Sequence, residues 1–154
     1  MRQKTKSVSS PTHKPYDTFF RSVRLIAMGL NGSIASVERG EYIRLRREKD
    51  GGQVKLSSQY HLDEVGPDYF EVKGNFKFSA QNPKSRKAVL EIVAEYGAHF
   101  HAKPPIDREL AEQFTHSDLR IILWPFFRQH VFDITGKMAV APVTLPLTTD
   151  SESE

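Results

Sequence analysis

The sequence contains no cysteine in its 154 residues, which excludes a disulfide scaffold, a thiolate nucleophile, cysteine-ligated zinc and an iron–sulfur cluster. No apolar run approaches the roughly 18–20 residues of a membrane-spanning helix, and Met1-Arg2-Gln3-Lys4 leads into no secretory stretch. A cytoplasmic protein with no membrane contact is the expectation. There is no glycine-rich phosphate loop ending in Lys-Ser or Lys-Thr, no Gly-x-Ser-x-Gly elbow and no His-Glu-x-x-His helix. Neither an enzyme nor an ATP-driven machine is expected, and no cofactor. Charge of one sign is scarce as well, with a formal net charge of +3. Residues 1–15 carry +4 in Arg2, Lys4, Lys6 and Lys14, while Asp150, Glu152 and Glu154 contribute −3, so the body between them carries only +2. A near-neutral body gives no support for a nucleic-acid-binding face.

What is present is alternation. A chain of this length suits one domain with a sizeable core; the expected boundaries are a flexible basic arm over 1–15, a single domain over 16–147 and a disordered acidic tail over 148–154. Between Thr18 and Leu30, Val23, Leu25 and Ala27 alternate with Arg24, Ile26 and Met28, which predicts a strand apolar on both faces, ended by Asn31-Gly32-Ser33. Tyr42 to Arg46 alternates too and runs into Asp50-Gly51-Gly52, a hairpin-turn signal. Val54, Leu56, Ser58, Tyr60 and Leu62 then share one strand face, Phe70, Val72, Gly74, Phe76 and Phe78 another, and Leu90, Ile92, Ala94, Tyr96, Ala98 and Phe100 a third. Gly66-Pro67-Asp68 and Gln81-Asn82-Pro83 separate them, so an antiparallel meander with one buried and one wet face is predicted.

The period changes after Lys103-Pro104-Pro105. Asp107 is placed to cap a short helix reaching about Phe114, and Ser117 to cap a long one with Leu119, Ile122, Leu123, Phe126, Phe127, Val131 and Ile134 as its stripe and Gly136 as its stop. Pro125 lies inside that stretch and predicts a kink there, or a helix that begins at Trp124 or Pro125. Residues 138–147 read as an apolar, proline-punctuated extended tail. Strands first and helices after give an α+β class, about four antiparallel strands with a long and a short helix on one face.

Two groups of residues could carry chemistry. His99 and His101 share a strand face and could hold an ion together with His61 or His116, but histidines on a wet sheet face are ordinarily just solvated, and no metal site is expected. The pairs Asp63/Glu64 and Glu91/Glu95 lie on polar faces, where solvation accounts for them. The aromatic density near the C-terminus is less ordinary. Ile121-Ile122-Leu123-Trp124-Pro125-Phe126-Phe127 is seven apolar residues in a row, more than one face of an amphipathic helix requires, and Val131-Phe132 continues the excess. Either the second side of this helix packs in an oligomer interface, or part of it lines a groove open to apolar segments of another chain; both can hold at once.

Leu123-Trp124-Pro125-Phe126-Phe127-Arg128, followed by Val131-Phe132-Asp133-Ile134-Thr135-Gly136 and Ala141-Pro142-Val143-Thr144-Leu145, resembles the SecB family of protein-export chaperones over roughly residues 20–147. The Asp133 to Lys137 ending resembles most closely the SecB-like chaperones associated with toxin–antitoxin systems. The resemblance implies an ATP-independent holdase, assembled as a homotetramer, a dimer of dimers. Such a protein keeps non-native polypeptides unfolded for export or protects a specific client such as an antitoxin. The candidate client-binding residues are Trp124, Phe126, Phe127, Val131, Phe132, Met138 and Leu145, with Tyr60, Phe76 and Phe78 from the sheet. Export members are acidic and dock the SecA motor, a further candidate partner, through carboxylates on the exposed sheet face. Here that face mixes Glu71 and Glu91 with Lys55, Lys73 and Lys77, and the pI is about 9.2. The sequence also ends soon after Leu147 without the further helix of the export members, so a differently walled groove is expected. Both departures favour a dedicated client. The alternative of another class is an oligomeric protein-binding module without holdase activity.

Overall fold

The computed structural model describes residues 14–49 and 51–147. Of the arm expected over residues 1–15, residues 1–13 lie outside the described residues, as does the acidic tail over 148–154. The order of elements is α1 (Lys14–Ser22), β1 (Arg24–Val37), α2 (Arg39–Arg47), β2 (Gln53–Val65), β3 (Tyr69–Gln81), β4 (Ala88–His101), α3 (Arg108–Ser117) and α4 (Leu119–Lys137). The four strands form one antiparallel sheet in the order β1-β4-β3-β2, so the expected α+β meander is what forms from β2 to β4.

Register explains the core. Leu56, Phe78 and Ile92 lie in one row across β2, β3 and β4, and Ser58, Phe76 and Ala94 in the next. Tyr60, Gly74 and Tyr96 follow, then Leu62, Val72 and Ala98. Because side chains alternate, every one of these rows points to the same face, and α3 and α4 cover it. Phe70, Phe76 and Phe100 from that face are buried together with Phe114 of α3 and with Leu119, Leu123, Phe127 and Val131 of α4. The other face is wet and crossed by the ion pairs Lys73–Asp63 and Lys77–Glu91, both 2.9 Å. Gly74 admits the helix: a Cβ there would lie 2.6 Å from Leu123 Cδ1.

Several expectations are corrected. Thr18 to Ser22 is helical, since α1 occupies Lys14–Ser22, including two residues assigned to the arm. Its apolar Tyr16, Phe19 and Phe20 recur at helical spacing, and the Tyr16 hydroxyl donates to Asp118. The following strand does not end at Asn31. It absorbs Asn31-Gly32 as a register shift between Leu30 and Gly32 and continues to Val37, with Asn31 donating to Glu95 at 3.0 Å. Tyr42 to Arg46 is the middle of α2 and no strand. Its alternation also satisfies a helical period, because Tyr42 and Leu45, three apart, are the buried pair, and Arg44 meets Glu41 and Glu48 one turn to either side. Consequently Gly51, at φ +47, joins a helix to a strand and not two strands.

The predicted helices form with shifted ends. Asp107 caps α3 by accepting from the Glu109 N–H at 2.8 Å, but α3 continues through Ser117, which therefore caps nothing. The N-cap of α4 is Asp118. α4 runs on through Pro125, which stands on its outward face beside the exposed Ile121, where water reaches the carbonyl left without an N–H partner. Gly136 lies within the last turn and does not stop the helix; Ala139, at φ +56, makes the turn-out. Among the described residues no helix is long and apolar enough to cross a membrane.

Candidate functional site

Residues 138–147 form an extended strap that doubles back along α4. Thr135 Oγ1 donates to the Val131 carbonyl at 2.7 Å and accepts from the Val143 N–H at 2.9 Å. Two turns up the helix from Thr135, Arg128 Nε donates to the Leu145 carbonyl at 2.7 Å, and one turn above it Trp124 Nε1 donates to the Pro146 carbonyl at 3.0 Å. Pro142 and Pro146 have no N–H to offer a sheet, so the strap holds on mainly through the carbonyls of Leu145 and Pro146, with α4 supplying their donors, and through the single Val143 N–H given to Thr135. Val140 and Leu145 anchor it in the core, and Arg39 of α2 donates to the Met138 carbonyl at 3.1 Å where it begins.

The strap walls two concavities at the free edge of β2. The larger, about 640 Å³, lies between Val54, Leu56, Lys55 and Lys77 of the sheet and Leu145-Pro146 of the strap. The smaller, about 300 Å³, is floored by Leu45, Val54, Phe78 and Val89, closed on one side by Pro142-Val143-Thr144 and rimmed by Arg46. Val54 is common to both and 60% exposed, so they form one groove open to a neighbouring chain. The outer edge of β2 pairs with no strand among the described residues.

A second apolar surface runs along β1 and α4. Leu30 pairs with Tyr96, whose hydroxyl donates to the Phe126 carbonyl at 3.2 Å, and one step on Ser33 meets His130 at 2.7 Å. The strand and the helix therefore run side by side, leaving Leu25 and Leu30 of β1 and Ile121, Phe126 and Phe132 of α4 exposed. Burial holds the Tyr96 hydroxyl up to about 12 and pushes the His130 imidazole below its usual range, with Lys137 adding to that and Asp133 opposing it.

The ten residues singled out from the sequence divide accordingly. Phe126 and Phe132 face outward. Phe78 and Leu145 are buried yet line the groove, and Met138 stands half-buried at the root of the strap. Tyr60 is half-buried, its ring edge-on to Phe76 at 5.8 Å. Trp124, Phe127, Val131 and Phe76 are interior, with Phe76 stacked on Phe127 at 4.8 Å. Sequence reasoning passed over Tyr42, Leu45 and Arg46, because the nine-residue α2 carries only two apolar positions on its buried side, and over Val54, which reads in sequence as one more apolar residue of a strand face. On the wet face His99 pairs with Glu71 at 3.1 Å and stacks on Tyr69, with His101 the next ring at 5.6 Å. No group of three or more His, Asp or Glu among the described residues is placed to hold a metal.

No family model and no curated protein matches the sequence. Among solved structures, the chain superposes on a SecB-like chaperone from Mycobacterium tuberculosis, determined in complex with a ChAD peptide from the HigA1 antitoxin. The TM-score is 0.72 at 19% identity, over 88% of this chain and 97% of that one. A protein of unknown function from Streptococcus agalactiae matches with a TM-score of 0.49 at 12% identity, over 80% of this chain and 96% of that one. The fold of this chain is the α+β fold of a SecB-like chaperone.

Proposed function

We propose that this chain is a SecB-like holdase that works without ATP in the cytoplasm, binding non-native polypeptide segments, with an antitoxin as its dedicated client. The observation that carries the reading is the fold shared, over nearly the whole chain, with a chaperone caught holding an antitoxin peptide. The groove at the β2 edge supports it physically. An extended client segment can lie along the unpaired strand edge, drawing on main-chain hydrogen bonds that any sequence offers, while its apolar side chains enter the hollows beside Val54.

The second apolar surface has a different task in this reading, which is self-association into a dimer of dimers. A 14-residue edge strand with exposed apolar side chains on both faces is an aggregation hazard unless a partner covers it. A second copy of the same chain does so by symmetry. Each groove alone binds weakly, and several grooves on one assembly hold a long unfolded chain through effective concentration. Delivery to the SecA motor is the less favoured branch, because Lys73 and Lys77 neutralise Asp63 and Glu91 on the face that would dock it.

The test is aggregation of a denatured reporter protein diluted from urea, followed by light scattering without nucleotide. Suppression at an equimolar ratio of assembled chaperone is expected. An unchanged scattering curve at tenfold excess would overturn the holdase reading and leave a binding module that recognises folded partners.

A further inference from the structure

The groove at the β2 edge is set apart from the rest of the surface by its charge. Arg46 rims the smaller hollow and Lys55 and Lys77 border the larger, and no described carboxylate lines either. More cations follow the lining residues along the chain: Arg47 comes directly after Arg46 in α2, and the β3–β4 turn, which begins directly after the lining residue Gln81, carries Lys84, Arg86 and Lys87. The carboxylates nearby are mostly engaged: Glu41 and Glu48 hold Arg44, and Glu91 holds Lys77. Among the described residues Arg46, Arg47, Lys55, Lys84, Arg86 and Lys87 have no carboxylate partner; against them stand Glu38 and the one negative charge left by Glu41 and Glu48, which share Arg44. The hollow of about 240 Å³ on the wet sheet face is different in kind, since Asp63 and Glu71 line it with Lys73 and His99.

We propose that this groove selects client segments in which acidic residues flank an apolar anchor, the anchor entering the hollow beside Val54 and the flanking carboxylates meeting Arg46 and Lys55. The proposal rests on the client-binding reading above and gives it a specificity. Arg46 is suited to the task, since its guanidinium lies 5.9 Å over the Tyr42 ring and is already partly ordered before a carboxylate arrives. An exposed ion pair is individually a few-fold effect. Several cations around one hollow, with no competing anion in its lining, make the preference additive and discourage basic segments by the same amount, which is how a difference of affinities is built from weak terms. A nucleic acid is the less favoured polyanion, because single strands need exposed ring faces on which bases stack, and the ring side chains of this groove, Tyr42 and Phe78, are buried.

The experiment uses the full-length protein and three fluorescein-labelled probes. Two are peptides with one Leu-Val-Phe-Leu core, flanked by Asp-Glu pairs in one and by Lys-Arg pairs in the other; the third is a single-stranded RNA 12-mer. Binding is read by fluorescence anisotropy at about 50 mM and about 500 mM salt. The acid-flanked peptide is expected to bind on the order of fivefold to tenfold tighter than the base-flanked one at low salt, with the gap closing at high salt. In R46E/K55E, whose circular dichroism is compared with the parent to establish folding, the order of the two peptides is expected to reverse. Equal binding of both peptides overturns the charge preference while leaving client binding intact. Binding of neither overturns the groove reading itself. Displacement of the acid-flanked peptide by the RNA at lower concentration assigns the basic patch to nucleic acid and overturns the proposal as well.

Discussion

Trp124 combines a buried ring with a committed polar edge. The indole packs against Phe76 and Phe127, with centroids 6.3 and 5.9 Å away, while its N–H holds the strap at Pro146. Trp124→Phe keeps most of the apolar contact and deletes the bond. A loss of about 1 kcal/mol in urea unfolding is expected, together with faster proteolysis of the strap than of α4, read by limited digestion and mass spectrometry. Equal digestion rates would mean that Arg128 and Thr135 hold the strap unaided. The neighbouring rings separate packing from surface use. Phe127→Ala removes a fully buried side chain and should cost about 3–5 kcal/mol, whereas Phe126→Ala, 45% exposed in the subunit, should change the unfolding of the lone subunit by no more than about 1 kcal/mol. The aromatic surplus of this segment was legible from seven consecutive apolar residues. Which rings turn inward was not, because Trp124, Phe126 and Phe127 stand in one unbroken apolar run, and the stripe read from it took in the exposed Phe126 and left out the buried Trp124; the sheet decides, by opening a slot at Gly74 for Leu123.

At the scale of elements, the meander and the two C-terminal helices follow from strict periodicity, and the errors cluster where a short segment satisfies two periods at once. Tyr42-Ile43-Arg44-Leu45-Arg46 alternates like a strand, yet Tyr42 and Leu45 also fall on one helical side. A tertiary requirement decides between them, since β1 and β2 are opposite edges of the sheet and their connection must cross it. α2 is that crossing, tied by the Glu38 N–H to the Val89 carbonyl at 2.8 Å. The seam between β1 and α4 has its own signature in pH. His130 is held below the usual imidazole range, burial being the main cause, so the folded state prefers the neutral ring, whose Nε2 lies 2.7 Å from the Ser33 hydroxyl. A group whose pKa is depressed on folding gives its stability in full above the unfolded-state value, about 6.5, and loses it as the pH falls below. Urea midpoints measured from about pH 8 down to about pH 5 should therefore drop further for the parent than for His130→Asn, with the two curves parallel above about pH 7. Curves that stay parallel throughout would remove His130 from the acid sensitivity of the fold.

On the scale of the whole molecule, composition concealed more than it told. A net charge of +3 reads as near neutrality, but the structure gathers cations at the β2 groove and mixes signs on the far sheet face. A sum over residues carries no geometry. The same holds for assembly: the sequence announced surplus apolar surface, and the fold distributes it between a groove at one sheet edge and a seam at the other. If the seam joins copies of the chain, a charge placed in it should act on mass before it acts on folding. Leu30 is suited to this, being 46% exposed in the subunit, on the helix-facing side of β1 and next to Phe126 through Tyr96. In a lone subunit Leu30→Glu keeps the new carboxylate in water, and a change of no more than about 1 kcal/mol is expected. In an assembly that covers Leu30 the same carboxylate is taken out of water against apolar side chains, a cost of several kcal/mol at each interface. Sedimentation equilibrium should accordingly find the parent at a multiple of 17.6 kDa and Leu30→Glu at a smaller one, with matching circular dichroism. If the groove is the client site, the smaller species still binds a single short apolar peptide and loses its grip on long unfolded chains, because only the linkage between grooves has been cut. Parallel loss of both activities would instead place client binding on the seam and assign the β2 groove another role.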